Sequence, residues 1–296
     1  MLDKLEMFIA LASEGHFGRA AEALNTSQPT LSAGIKQLEE QLGVQLVIRG
    51  SRYGGLTPEG QSALVWARRI TADTRQLRDE MRAKRHGLSG EIRLAVIPTA
   101  LTWAAHLAAR FAERHPNVRF SILSHSSRDI HTMLDSFEAD AGLSYLDNEP
   151  LGRVDTAPLY RERYVLVCRE DAALAQRASV HWEDLDAEPL ALLTTEMQNR
   201  RIINQVFADY GATPAPLIES NSLIALVSSV IAGRCMTVLP DDIARFLASG
   251  QPLKIVPIDG GGKHHAVGLV VPHRDPHTPV IEALLAEANR LGRPGS

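Results

Sequence analysis

The chain has 296 residues, 45% of them hydrophobic, and a net charge of −4. That length suits two or three globular domains. No apolar run approaches the roughly 18 residues that a membrane helix needs, and the overall charge is not that of a uniformly basic nucleic-acid binder. The charge is unevenly spread: residues 1–90 hold 12 Lys plus Arg against 10 Asp plus Glu, and the remainder 19 against 25. This is the sign expected if DNA contact sits at the N-terminal end. Cys168 and Cys235 are the only cysteines, which gives no disulfide framework and no CxxC knuckle. Two buried thiols in a reducing cytoplasm are the expectation.

In chain order, "MLDKLEMFIALASEG" reads as an amphipathic helix closed by Gly15, not as a signal peptide. "RAAEAL" (19–24) is a second short helix, and Asn25 and Thr26 form a turn. A third helix then carries Leu31, Ile35, Leu38 and Leu42 on one face and ends at Gly43. A helix, a short turn and a helix make a helix-turn-helix. "VQLVIRGSRYGGLTPEG" follows as a two-stranded wing with Arg49 and Arg52 near its tip. Pro58 opens a long helix whose apolar positions Ala63, Trp66, Ala67, Ile70, Thr74, Leu77 and Met81 recur at three- and four-residue steps. One narrow seam on so long a helix predicts pairing with a second copy; the competing reading is a connecting helix lying on its own domain.

After a break at "HGLSG" (86–90), strands and helices alternate. Strands are expected at 91–97, 118–123, 140–146, 163–168, 189–193, 235–240 and 266–272. Helices are expected at 102–116, 128–138, 197–210, 222–233 and 278–291. The alternation predicts an α/β fold, with a mostly parallel sheet covered on both faces.

The first turn of the third helix bears the functional load. Ser27 is a fitting N-cap, and Pro29 sits where no intrahelical amide bond is needed. Gln28, Thr30 and Ser32 are short neutral groups able to meet base edges in the major groove. Lys36, one turn on, is placed for phosphate, and Arg49 and Arg52 on the wing for backbone or minor groove.

"GRAAEALNTSQPTLSAGIKQLEEQLGVQLVIR…LTPEG" closely resembles the DNA-binding module of LysR-type transcriptional regulators. The resemblance extends over the chain. It implies a winged helix-turn-helix at 1–57, a linker and dimerisation helix with hinge at 58–90, and a periplasmic-binding-protein-like effector domain at 91–296. That domain comprises two α/β subdomains, 91–161 with 267–296, and 162–266. It further implies a homodimer, usually a homotetramer, on double-stranded promoter DNA in the cytoplasm, with RNA polymerase as a further partner. Two positions depart from the family pattern: Val47 after Leu46, where Leu-Phe is common, and Ala33, where many relatives carry Arg.

In such a domain the ligand sits between the subdomains, where strands end and helices begin. The candidates are Pro98, Thr99, Ala100, Thr102, Ser124 to Ser126, Thr194, Thr195, Arg200 or Arg201, and Ser222. Hydroxyls at helix N-termini beside an arginine suit a carboxylate-like anion; each hydroxyl is equally well explained as a plain cap. The resemblance favours Thr99, since the family commonly uses a Ser or Thr after this domain's first strand. "LSYLDNEPLGRV" and "LLTTEMQNRRIINQVF" resemble the LysR subgroup associated with formate dehydrogenase genes, which makes formate the expected effector.

The "KHH" of Lys263, His264 and His265 reads as a solvated loop and not a metal site, and the "GGG" at 260–262 as a turn. No cofactor and no catalytic constellation is expected. The alternatives to a ligand-responsive DNA-binding regulator are a small-molecule binding protein whose N-terminal part serves only assembly, and an α/β enzyme.

Overall fold

A computed structural model describes residues 1–49, 53–147, 150–233, 235–260 and 264–292, without the side chains of Arg49, Asp79 and residues 82–86. Arg52, the Arg49 side chain, Gly261, Gly262 and Lys263 therefore lie outside the described residues. The chain divides into two compact units, Met1–Ser89 with Asp135–Glu138, and Gly90–Leu134 with Ala139–Ser296.

The first unit opens with α1 (Leu2–Glu14), α2 (Phe17–Ala23) and α3 (Gln28–Leu42). Gly15 ends α1 at φ 60, a left-handed conformation that glycine adopts without steric cost. Helix α2 starts two residues earlier than expected because the His16 ring nitrogen accepts the Gly18 amide at 3.0 Å and caps it. Leu5, Phe8, Leu11, Ala20, Ala21, Leu31, Ile35 and Leu38 form one core. Gly34 lets α3 approach α1: a Cβ there would lie 2.3 Å from the Met7 sulfur. Leu42 shares the angular face of Leu31, but the buried residues of α3 stop at Glu39, and Leu42 is 44% exposed.

The wing is β1 (Val47–Arg49) antiparallel to β2 (Tyr53–Leu56). Its entry is fixed by a residue that periodicity does not reveal. Glu39 is buried, and its Oε1 accepts the amides of Leu46 (2.9 Å) and Val47 (3.3 Å). Both Leu46 and Val47 are buried in the helical core. Replacing Glu39 by alanine strands both amides and is expected to cost about 2 kcal/mol. Urea unfolding of the intact chain measures this; an unchanged midpoint would mean that water replaces the carboxylate.

Helix α4 (Pro58–His86) starts at Thr57, whose hydroxyl donates to the Gln45 carbonyl (2.7 Å) and accepts the Gly60 amide (2.9 Å). Its expected seam divides. Ala67 is buried in the core of this unit, and Ala63 packs against it. Trp66, Ile70, Leu77 and Met81 stay 62%, 42%, 58% and 46% exposed.

The second unit contains β3 (Ser89–Val96), α5 (Leu101–Arg114), β4 (Asn117–Ser124), α6 (Ser127–Asp135), β5 (Ala141–Tyr145) and β6 (Val154–Arg161). There follow β7 (Tyr164–Arg169), β8 (Val180–His181), β9 (Ala191–Leu193), α7 (Gln198–Asp209), β10 (Ile218–Ser220) and α8 (Leu223–Ala232). Then come β11 (Thr237–Pro240), α9 (Asp241–Ala248), β12 (Leu253–Asp259), β13 (Ala266–Pro272) and α10 (Pro279–Leu291). One sheet has the order β4-β3-β5-β13-β6, a second β11-β7-β12-β8, and β9 pairs with β10. The chain passes from the first sheet to the second between β6 and β7, and returns between β12 and β13.

The sheets are mixed, which corrects the expectation of mostly parallel pairing. β3 with β5, β8 with β12 and β9 with β10 are parallel. The returning strand β13 is antiparallel to β5 and β6, and β7 is antiparallel to β11 and β12. A strand that arrives from the other subdomain enters the sheet against the direction set by a helical crossover. β6 and β12 went unpredicted because Pro158 and Pro257 interrupt half-exposed runs, and proline within a run argues against a strand. Pro158 is tolerated because β6 is an edge.

Candidate DNA-binding and effector sites

The exposed side of α3 begins at its cap. Ser27 Oγ accepts the Thr30 amide at 3.2 Å and lies 2.8 Å from the Thr30 hydroxyl. Ser27, Gln28, Pro29, Thr30, Ser32 and Lys36 are all exposed, while Leu31, Gly34 and Ile35 between them are buried. One helix thus presents a small polar face that nothing in its own unit covers. Lys36 lies 3.9 Å from Glu40 with both side chains well exposed, a pair that solvent screens heavily. The amides of the first turn and the helix dipole point toward the same end and favour a phosphate oxygen.

In the second unit, Pro98, Thr99 and Ala100 form a buried 3-10 turn between β3 and α5. The hydroxyls of Thr99 and Thr102 are buried and make no hydrogen bond. The other expected residues are engaged locally. Ser126 Oγ donates to Asp129 at 2.7 Å and accepts that residue's amide. Thr194 donates to Glu196 at 2.6 Å, and Ser222 caps α8 through the Ala225 amide. Thr195 is exposed ahead of α7. Arg200 is buried, with its guanidinium on the Leu193 carbonyl (2.7 Å), Glu219 (2.5 Å) and Asn204 (2.8 Å). Arg201 bonds Gln198 and the Glu196 carbonyl. Neither arginine is presented as an open anion clamp.

Residues that strand-end reasoning missed surround Thr99. Tyr160, Glu162 and Tyr164 follow one another at spacings of two along the passage between the subdomains, which puts them on one face of extended chain. Glu162 is 1% exposed, and its Oε2 accepts from Tyr145 (2.8 Å) and Tyr164 (3.0 Å). Asn199, at the start of α7, donates to the Tyr164 hydroxyl at 3.4 Å. Glu162 Oε1, Asn199 Oδ1, Tyr160 Oη and Thr99 Oγ1 are buried and make no well-aligned hydrogen bond among the described residues, with the Thr99 and Tyr160 hydroxyls close to the Glu162 carboxylate. Burial pushes the Glu162 carboxyl above the usual carboxylate range, against the pull of the surrounding Tyr145, Thr99, Tyr164 and Tyr160 hydroxyls. Burial first, and the Glu162 charge with it, hold the three tyrosines well above their ordinary value. Trp103 stacks on Tyr160 at 4.7 Å and donates to Asp242 of α9 at 3.0 Å, a contact from one subdomain to the other.

A separate cleft of about 680 Å³ opens beside Trp182, Asp241, Arg245, Asp259 and His264 and touches this cluster at Glu162 and Tyr164. None of the expected effector residues lines it. The cluster is the stronger candidate because both subdomains supply its side chains and four of its polar atoms lack partners.

His265 is buried and sits 3.2 Å from Asp147, which corrects its reading as a solvated loop residue. His264 contacts the Glu162 carbonyl at 3.2 Å. Among the described residues no group of three metal-ligating side chains converges. Cys168 and Cys235 are buried. Burial raises the Cys168 thiol to about 11 and raises Cys235 as well, so neither is a ready thiolate.

Residues 2–61 match the family profile of bacterial regulatory helix-turn-helix proteins of the lysR family, and residues 85–292 match the LysR substrate binding domain. The SDS degradation transcriptional activation protein of Pseudomonas sp. (strain ATCC 19151) is 32% identical over 292 residues, covering 96% of this chain and 94% of that protein. Full-length OxyR from Pseudomonas aeruginosa superposes with a TM-score of 0.75 at 25% identity, covering 99% of both chains. CbnR complexed with its target DNA superposes at 0.72 and 21% identity, over 98% of this chain and 99% of that one.

Proposed function

The chain belongs to the LysR family of bacterial helix-turn-helix regulators, and on that premise we propose a division of labour for this DNA-binding transcriptional regulator with its effector-binding domain. Residues 1–57 read the promoter, 58–90 join two copies, and 91–296 hold a small polar effector between two subdomains. The observation that carries the DNA-binding half is the exposed, Ser27-capped first turn of α3, with Gln28, Thr30 and Ser32 outward and Leu31 and Ile35 in the core. Lys36, Arg49 and Arg52 supply phosphate contacts in this reading.

The apolar stripe of α4 joins the dimer, and two dimers form the tetramer usual in the family. No described helix is long and apolar enough to cross a membrane; the protein works in the cytoplasm, where RNA polymerase is its further partner. Catalysis has no part in this reading. The effector seat is the polar cluster around Thr99. The expected carboxylate, formate, would meet the hydroxyl-bearing turn at Thr99 and Thr102 without its arginine clamp, because Arg200 and Arg201 are engaged elsewhere.

Fluorescence anisotropy on DNA upstream of the chain's own gene, across a salt series, tests the regulator. A specific complex should tighten over random DNA with a steep salt slope. Gln28→Ala should cut the preference for the specific site about 5- to 100-fold, whereas Arg52→Ala should weaken specific and random binding together. Equal binding to random and promoter DNA would return the chain to a small-molecule binding protein that merely assembles through its N-terminal part.

A further inference from the structure

The cluster at the passage between subdomains has an unbalanced set of hydrogen-bonding groups. Glu162, Thr99 and Asn199 are 1%, 2% and 4% exposed, and each carries a polar atom with no partner. Tyr145 and Tyr164 both donate to Oε2, and Oε1 has no hydrogen bond among the described residues, although the Thr99 and Tyr160 hydroxyls lie close enough to act on the carboxylate. Among the described residues no Lys, Arg or His pairs with this carboxylate. A buried carboxylate without a cation is costly unless something supplies the missing charge and donors.

The charges that act on the side chains of the cluster are carboxylates, while Arg163 and Arg245 line the adjoining cleft without pairing with Glu162. Asp242 acts on Tyr160 and accepts from Trp103. Asp129 of the first subdomain and Glu196 of the second act on each other. Arg200 is committed to Glu219 and Arg201 to Gln198. An ammonium brings three donors and no acceptor, which matches Glu162 Oε1, Asn199 Oδ1 and a hydroxyl oxygen of Tyr160 or Thr99.

We propose that Glu162 is the recognition residue for a positively charged, N–H-donating group, so that the effectors of this regulator are small amines. Tyr160, Thr99 and Asn199 complete the seat. The proposal rests on the reading of the chain as an effector-responsive regulator and replaces the expected carboxylate with an amine as its ligand class. Charge-assisted hydrogen bonds to the bare oxygen supply affinity, and side chains from both subdomains close on one ligand atom.

Thermal shift of the full-length protein at matched ionic strength tests it. The probes are the chloride salts of methylammonium, guanidinium and putrescine, the common amino acids, tetramethylammonium, and sodium formate and acetate. At least one primary amine or guanidinium should raise Tm in proportion to the logarithm of its concentration, while tetramethylammonium, which has no N–H, should not. Glu162→Gln should weaken that binding about 30-fold or more. Tyr160→Phe, which keeps the ring on Trp103, should weaken it about 3- to 10-fold. Promoter anisotropy on the same variants shows that they remain folded. Three results would overturn the proposal: no shift with any amine, an equal shift in Glu162→Gln, or a shift with formate or acetate alone. If promoter binding persists through such a failure, the regulator stands and only the ligand class falls.

Discussion

Replacing Leu77 by glutamate is expected to weaken binding to a promoter with two half-sites by about 100-fold or more, because linked sites gain 10²- to 10⁴-fold over single ones. Trp66, Ile70, Leu77 and Met81 lie at steps of four, seven and four along α4 and are exposed on the single chain. Thr74, one turn after Ile70, continues the stripe. Such a row on a 29-residue helix is covered most simply by the same row of a second copy, since a self-complementary face closes on itself. A carboxylate placed in that seam must be desolvated twice, once from each chain. Sedimentation should show a smaller assembly than that of the unaltered protein, and binding to a single half-site should change little, because Leu77 lies far along α4 from the DNA-facing turn of α3. A Leu77→Glu protein that keeps the assembly of the unaltered protein and binds as before would mean that the stripe is covered by something other than its own copy.

Gly60→Ala is expected to destabilise the DNA-binding unit by about 3 kcal/mol, at the upper end of overpacking costs. A Cβ at Gly60 would lie 2.0 Å from the Leu46 carbonyl oxygen and 2.9 Å from its carbon. The obstacle is backbone, so no rotamer relieves it. Leu46 cannot retreat, because its amide is held by Glu39 and its carbonyl accepts the Thr57 amide at 3.0 Å. The same short stretch caps α4 through Thr57. One substitution therefore disturbs the wing entry and the start of the linker helix together. Urea unfolding followed by circular dichroism measures the loss. A small effect, within a few tenths of a kcal/mol as for an ordinary surface change, would show that α4 can shift to admit the methyl group.

The contrast between Gly60 and Gln28 shows what a sequence carries. Gln28, Thr30 and Ser32 were legible because local rules place them: a serine cap, a proline in the first turn and a 3.6-residue period separate the outward residues from Leu31 and Ile35. The helices α1, α3, α5, α7, α8 and α10 were legible for the same reason, and so was the buried strand β13. The glycine at 60 was visible as a letter, but its reason lies 14 residues away in the Leu46 carbonyl, and no period links them. Glu39 likewise looks like a solvated residue on a charged helix until the wing folds back over it.

The proposed effector site divides in the same way. Thr99 was reached from the rule that ligands gather where strands end. Tyr145 was open to that rule too, since it closes β5. Tyr160, Glu162 and Tyr164 were hidden because β6 has proline and an exposed face, so the passage read as loop. Sequence placed Arg200 and Ser126 near element starts, but Glu219 and Asp129 engage them, and a hydrogen bond is a three-dimensional fact. The sequence by itself determined the helix-turn-helix, its outward face and the alternation of the effector half, because these follow from short-range sterics and periodicity. Only the tertiary structure decided which strands run antiparallel, which glycine cannot change and which carboxylate lies unpaired, because each depends on groups that meet only after the chain has crossed between sheets and returned.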